Sequence, residues 1–545
     1  MGKHGLTASR SIASSVVLVA LALVSAATAG AQTLPPPTYS SPIALSANGR
    51  YVWSVNPSDN SVSVIYTRTN RVIERVGVGS EPASVALDPA GRYAYVANPA
   101  SNNVSIIQIT NRSPSDYQAR RTRNVTTGAE PWNVVASPDG RRVFVANMNQ
   151  DSITVLSRNG RQLIGHVNLR NSVCNDPDRN RVFLPRGLAV TRDSSRLFVT
   201  SFHAFTRPGG RQATDTGRQG AVCRLRIRTA SNAIRDYRPR QRIAVGPQDT
   251  GFAIDSTGDG VPDPTSAFPN QMQSAVIRGN YLFLPNVAAS AGGPLRFNVD
   301  TQAFVNVLRG VNGPRPRADV NQSDASAEKF VNANLGARTP EPNKKRLFFS
   351  NLWAIGFTSA SGTGNAYAVA AGSDLLVKLN VGPTGDLSLT GGPETTRYID
   401  LNDPANPVTS AQNTGKNPQG IAINREGTRA YVMNAISRNV SVVDLRADRV
   451  IRVIRTANLP APGSPQERTL VGAEIFFSSR GNFNRPPGTT VATTDRLSSE
   501  GWQACASCHF EGLTDSVIWD FNTGRASRCR STRRSTRATA KSSGS

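Results

Sequence analysis

The stretch Asp88-Pro-Ala-Gly-Arg-Tyr-Ala-Tyr-Val-Ala-Asn98, followed by Asn103-Val-Ser-Ile-Ile107, decides how this chain folds, because it recurs. Copies of its aromatic centre stand at Arg50-Tyr-Val-Trp-Ser-Val-Asn56, Arg142-Val-Phe-Val-Ala-Asn147, Arg196-Leu-Phe-Val-Thr-Ser201, Asn280-Tyr-Leu-Phe-Leu-Pro-Asn286 and Arg429-Ala-Tyr-Val-Met-Asn434. A weaker copy, Asn365-Ala-Tyr-Ala-Val-Ala370, competes with Arg346-Leu-Phe-Phe-Ser-Asn351. Alignment on the aromatic gives Trp53, Tyr95, Phe144, Phe198, Phe283, Tyr367 and Tyr431, spaced by 42, 49, 54, 85, 84 and 64 residues.

The context of the copies is also shared. A Gly-x-x-Pro step precedes several of them, at Gly79-Ser-Glu-Pro82, Gly128-Ala-Glu-Pro131 and Gly415-Lys-Asn-Pro418. β-Branched segments such as Asn60-Ser-Val-Ser-Val64, Asp151-Ser-Ile-Thr-Val155 and Asn439-Val-Ser-Val-Val443 follow, then a fourth segment such as Arg71-Val-Ile-Glu-Arg-Val76. β-Branched runs bounded by turn residues read as short strands. Four such strands in a unit of about 40–50 residues form one propeller blade. The expectation is an all-β chain with a β-propeller of about seven blades over residues 38–458, with six or eight left open. The long later spacings are read as loop insertions. The repeat resembles the YVTN, or YncE-like and lactonase-like, seven-bladed propeller family. That resemblance implies a fold and no particular chemistry.

The amino terminus predicts export. Lys3 and Arg10 precede the apolar run Ile12 to Val24, and Ala29-Gly30-Ala31 offers a cleavage site. This is the plan of a signal peptide over 1–31, with an apolar core shorter than the roughly 20 residues that span a bilayer. An uncleaved membrane anchor is the alternative. The expected product is periplasmic or secreted, with no transmembrane segment after cleavage.

The chemical signal lies near the other end. Cys505-Ala-Ser-Cys508-His509 is the C-x-x-C-H motif of c-type heme attachment. Two thiols three positions apart reach the two vinyl groups on one porphyrin edge, and the adjacent imidazole ligates the iron. A redox C-x-x-C lacks its βαβ context here, and a four-ligand zinc site lacks a second Cys/His pair. Around the motif, Leu470-Val-Gly-Ala-Glu-Ile-Phe-Phe477, with Gly472 and Phe476, resembles the first helix of cytochrome c domains. Residues 465–524 are similar to part of the cytochrome c peroxidase/MauG-like group. The resemblance implies heme c held covalently by Cys505 and Cys508 with His509 as axial ligand, in a small α-helical carboxy-terminal segment. Three departures limit it: there is one C-x-x-C-H, no Met or His follows His509, and the chain stops 36 residues beyond it. The iron is then five-coordinate or draws a ligand from the propeller. His166 and His203 read as ordinary loop residues, and Met433 as core.

Residues 525–545 carry seven positive charges, no acid and little apolar bulk. A shifted reading frame or truncation is favoured over a natural basic arm or a plain disordered tail. Asp255-Ser-Thr-Gly-Asp259-Gly-Val-Pro-Asp263 partly matches a calcium loop, with Asp255, Asp259 and Asp263 as candidate ligands but no Glu at position 12; an acidic surface turn is the alternative. In an oxidising compartment Cys174 and Cys223 form a candidate disulfide, with two buried thiols as the other reading.

The 545-residue chain carries a net charge of +25, of which +16 remains on the body once the tail, Lys3 and Arg10 are set aside. Spread over a propeller, that charge suits an acidic redox partner protein steered electrostatically, and no longer specifically nucleic acid. The function expected is an exported monoheme electron carrier with the propeller as docking scaffold. A peroxidase/MauG-like oxidoreductase and a non-redox binding propeller are the alternatives. Ser-His-Asp, H-E-x-x-H, P-loop and G-x-G-x-x-G patterns do not stand out.

Overall fold

The computed structural model describes residues 39–520, apart from 176–181, 256–258, 294–295, 297, 319–329, 360–363, 411–413 and 481–497. The signal segment 1–31 and the basic tail 525–545 lie outside the described residues.

The described chain forms seven antiparallel sheets in succession, a seven-bladed β-propeller. Blade one is Ile43–Leu45, Tyr51–Asn56, Ser61–Tyr66 and Arg71–Gly77, paired in chain order. Blades two, three and seven repeat that plan, blade seven ending at Arg449–Arg455. Each of the seven aligned aromatics falls on a strand of a different sheet and is almost wholly buried. Equivalent registers recur: Trp53 lies between Ala44 and Val64, Tyr95 between Ala86 and Ile106, and Tyr431 between Ala422 and Val442. The repeated position is also a strut between blades. Tyr95 donates its hydroxyl to Arg158 O of blade three (2.6 Å), Tyr367 to Leu445 O of blade seven (3.4 Å), and Tyr431 to Asn70 Oδ1 of blade one (3.4 Å). Of the two rivals for blade six, Gly364–Ala370 is a strand and Arg346–Asn351 is not.

The Gly-x-x-Pro step has a packing reason. A Cβ on Gly128 would stand 2.8 Å from Asn147 Cγ and 2.5 Å from Gln150 Oε1, and one on Gly79 would meet Asn98 just as closely. Those asparagines close the neighbouring hairpins: Asn147 Nδ2 donates to Ser152 Oγ (3.0 Å) and Thr154 Oγ1 (2.8 Å), and Asn98 Nδ2 to Ser105 Oγ (3.0 Å). Only glycine leaves the room.

One expectation needs correction. The insertions are more than loops, because blade five widens to a seven-stranded sheet that includes Gln248–Ile254, Asp263–Asn270 and Phe330–Asn332. The carboxy-terminal part is the small helical segment expected, and its described residues form no separate helical shell. Its described residues hold one helix of length, α1 (Pro465–Phe477), and a single helical turn, α2 (Cys505–Cys508). Ser464 caps α1 by accepting from Glu467 N (3.1 Å). Trp502 and Phe510 each belong to a cluster whose other members come from the propeller, and Val517 and Trp519 together pack against propeller residues. The propeller therefore supplies the apolar surroundings of these side chains.

Candidate heme-attachment segment at the channel mouth

Residues 498–520 dock where the blades converge. The ring of Phe510, 2% exposed, lies 6.4 Å from Trp132 of blade three, 4.7 Å from Phe202 of blade four and 5.6 Å from Trp353 of blade six. Only the centre of a closed propeller brings those blades to one ring. Beneath it, the wholly buried Arg186 guanidinium lies 3.4 Å from the centroid of Trp132, 4.6 Å from Phe202 and 4.9 Å from Phe510. Its nitrogens make no hydrogen bond among the described residues, and Glu511 faces it at 3.6 Å. Burial pushes Arg186 down to about 10 and Glu511 up to about 7, each against the pull of the other.

The platform is built by repetition. Glu81, Glu130, Leu184, Gln271, Asn351 and Asn417, each standing just ahead of an inner strand, all have φ near +50°. The left-handed residue turns the chain from one blade into the next. In four of the six its carbonyl is used the same way, with Glu130 O accepting from Met148 N, Leu184 O from Phe202 N, Asn351 O from Ala371 N and Asn417 O from Ala435 N. A left-handed backbone costs energy in a side-chain-bearing residue, and such strain collects at working surfaces. The docked segment bonds to this ring. Gln271 donates Nε2 to Ser507 O (2.6 Å), and Ser507 donates Oγ to Asn351 Oδ1 (2.7 Å). Further along, Asn270 Nδ2 donates to Asp515 O (3.1 Å), and Trp502 Nε1 to Thr301 O (3.0 Å). Burial pushes Asp515 up to about 7.

The end of α1 is tied to blades six and seven by buried charges. Lys416 Nζ lies 3.0 Å from Asp374 and 3.6 Å from Glu474, and Arg480 meets Asp400 at 2.7 Å.

Within this frame Cys505 and Cys508 are free thiols, not bonded to one another. Cys505 is exposed, whereas burial raises the Cys508 thiol well above its usual range. His509 is exposed, with Nδ1 3.2 Å from Leu513 O. A carbonyl can only accept, so Nδ1 carries a proton, and in the neutral ring Nε2 keeps its lone pair. His203 is drawn next to the segment, with Nδ1 3.0 Å from Ser516 Oγ and its ring 4.7 Å from Phe202. His166 sits on the outer strand of blade three beside Thr154, and Met433 is in the core of blade seven.

The other sequence candidates lie elsewhere. Cys174 and Cys223 are bonded, with Cα atoms 5.3 Å apart, and join the chain ahead of blade four to that blade's third strand. Asp255 spends its carboxylate on Asp259 N (3.2 Å) and Gly260 N (2.8 Å), and Asp259 accepts from Val261 N. Among the described residues no group of three or more His, Cys, Asp or Glu could hold a metal ion, so Asp255, Asp259 and Asp263 are not gathered into a calcium site. Residues 256–258 of that loop lie outside the described residues. No helix among the described residues is long and apolar enough to cross a membrane. Sequence reading missed Trp132, Arg186, Phe202, Trp353 and the left-handed ring, although the Gly-x-x-Pro steps contained Glu81, Glu130 and Asn417.

No curated protein matches the chain. Among solved structures, hydrazine synthase of Kuenenia stuttgartiensis is similar, at 15% identity and a TM-score of 0.49, over 75% of this chain and 96% of that one. A candidate 6-phosphogluconolactonase from Bacteroides uniformis is similar at 14% and 0.43, over 75% and 92%. A protein from Lactobacillus plantarum is similar at 12% and 0.45, over 78% and 97%. The family described as "Lactonase, 7-bladed beta-propeller" matches residues 15–115, which hold blade one and most of blade two, so what the match shares with this chain is scaffold.

Proposed function

We propose that the protein is an exported β-propeller that carries a c-type heme on its docked carboxy-terminal segment and passes electrons to an acidic partner protein. The observation that carries this reading is His509. Its Nδ1–H is fixed on Leu513 O, the backbone bond that commonly orients a metal-ligating imidazole, and its ring is exposed. Cys505 and Cys508, on one helical turn and unbonded, would each add S–H across a vinyl group, forming a thioether with no net change of oxidation state. The donor set therefore fits the group. A bound heme supplies one-electron chemistry. The protein's own part is to hold the imidazole tautomer and to anchor the segment through Phe510, Trp502 and Ser507. The positive body charge steers the encounter with the partner.

Full-length protein from a strain able to mature cytochromes c should give a c-type pyridine hemochrome spectrum, and Cys505→Ser with Cys508→Ser should abolish it. A colourless wild-type preparation from that strain overturns the reading. It would leave the non-redox binding propeller, which the cavity described next favours independently.

A further inference from the structure

Beside the docked segment lies a cavity of about 1080 Å³, bounded by the channel mouth on one side and by α1 on the other. It is as large as a small-molecule site needs to be. Cys505, Cys508 and His509 do not line it.

Its chemistry runs against the rest of the chain. In a protein of net charge +25, no Lys, Arg or His among the described residues lines this cavity, whereas Glu81, Glu130 and Glu511 all do. Trp132 and Trp353 supply aromatic faces, and Phe476 of α1 adds apolar wall. Gly472 faces open space, since a Cβ there would meet nothing within 4 Å.

A second observation points to a ligand. Gln273 and Ser274, 5% and 7% exposed, also line the cavity. Among the described residues, Gln273 Oε1 and Ser274 Oγ have no hydrogen-bond partner. A buried acceptor left unmade is costly, and here the missing partner would come from the cavity side. Gln273 Oε1 requires an N–H or O–H donor.

We infer that this cavity binds an organic ammonium ion: a primary or secondary amine, charged at neutral pH, on an apolar or aromatic body. Carboxylates and indole faces together favour a cation over its neutral isostere, and Gln273 Oε1 takes one of its N–H groups. A multiply anionic ligand is disfavoured by Glu81 and Glu130, whereas Glu511 faces Arg186. Cys505, Cys508 and His509 lie outside the cavity and amine binding needs no heme, so the inference holds or fails whichever way the hemochrome test turns out.

The test uses full-length protein with phenethylamine as probe and 2-phenylethanol as the uncharged isostere, followed by calorimetry and by the fluorescence of the tryptophans. The amine should bind at least tenfold more tightly than the alcohol. Glu81→Gln with Glu130→Gln should remove most of that preference while leaving the alcohol's binding unchanged. Gln273→Leu should weaken phenethylamine more than benzyltrimethylammonium, which has no N–H to give. Equal binding of amine and alcohol by the wild-type protein overturns the inference, as does absence of amine binding at millimolar concentration. The wild-type comparison decides even if a variant fails to fold.

Discussion

Removing the Phe510 ring should release the docked segment while leaving the propeller folded. The ring is 2% exposed, packs against Trp132, Phe202 and Trp353, and covers the Arg186 guanidinium. Truncating a buried phenylalanine costs about 3–5 kcal/mol. Here the loss also strips one aromatic face from a buried cation, so the upper part of that range applies. All of it falls on docking, because Phe510 belongs to no blade. A cost of about 3 kcal/mol at the lower end is more than a hundredfold in the docking equilibrium. The readout is amide exchange across 505–516. Its turns, with His509 N on Cys505 O and Asp515 N on Cys508 O, are single helical or tight turns that do not persist in isolation. Their protection therefore reports docking. In Phe510→Ala, exchange in these peptides should rise a hundredfold or more, while peptides of Tyr93–Asn98 and Arg429–Asn434 keep their protection. Phe510→Leu should lie between. Unchanged exchange in 505–516, or an equal loss across the blades, would refute the view that this side chain anchors a peripheral segment to a self-sufficient propeller.

Gly128→Ala should destabilise the propeller by about 1–3 kcal/mol, the usual cost of overpacking, because its Cβ would press on Asn147 and Gln150; thermal unfolding checks this, with Gly49→Ala as a control that meets no neighbour but keeps its positive φ. Lys416→Met should cost about 3–5 kcal/mol by leaving Asp374 buried without its partner. It should also loosen α1, which Lys416 reaches through Glu474; proteolysis between blade seven and α1 reports that, and wild-type resistance there would count against the tie. Reducing Cys174–Cys223, which spans 49 residues, should lower stability by about 2–4 kcal/mol in denaturant titrations. A midpoint unchanged by reductant would show that the bridge contributes nothing.

Much of the architecture was legible because a blade is a local object. Its strands are consecutive, their faces follow a two-residue period, and turn residues such as Gly91 and Gly140 mark their ends. The seven aromatics could be aligned because each lies buried on the corresponding strand of its blade, and three of them prop the next blade. Blade five escaped because its extra strands come from insertions that carry no copy of the repeat, although Asp263–Asn270 and Phe330–Asn332 pair with the blade's own strands. The C-x-x-C-H motif was legible as a motif, but not its setting.

What the sequence determined by itself is the set of positions that repeat: the aromatic strut, the hairpin asparagine and the glycine it excludes from bearing a side chain. What only the tertiary structure decided is what meets at the axis. Trp132, Arg186, Phe202, Trp353 and Phe510 come from different blades and from beyond the last one, and none belongs to the repeated aromatic set. Ring closure puts Trp132, Phe202 and Trp353 each within 6.4 Å of the Phe510 ring, and Arg186 3.4 Å from Trp132. The same closure turns six left-handed linkers into one platform and leaves a carboxylate-lined cavity in a basic protein. Periodicity along a chain specifies each blade. The centre is specified by how many blades close, and no single repeat carries that number.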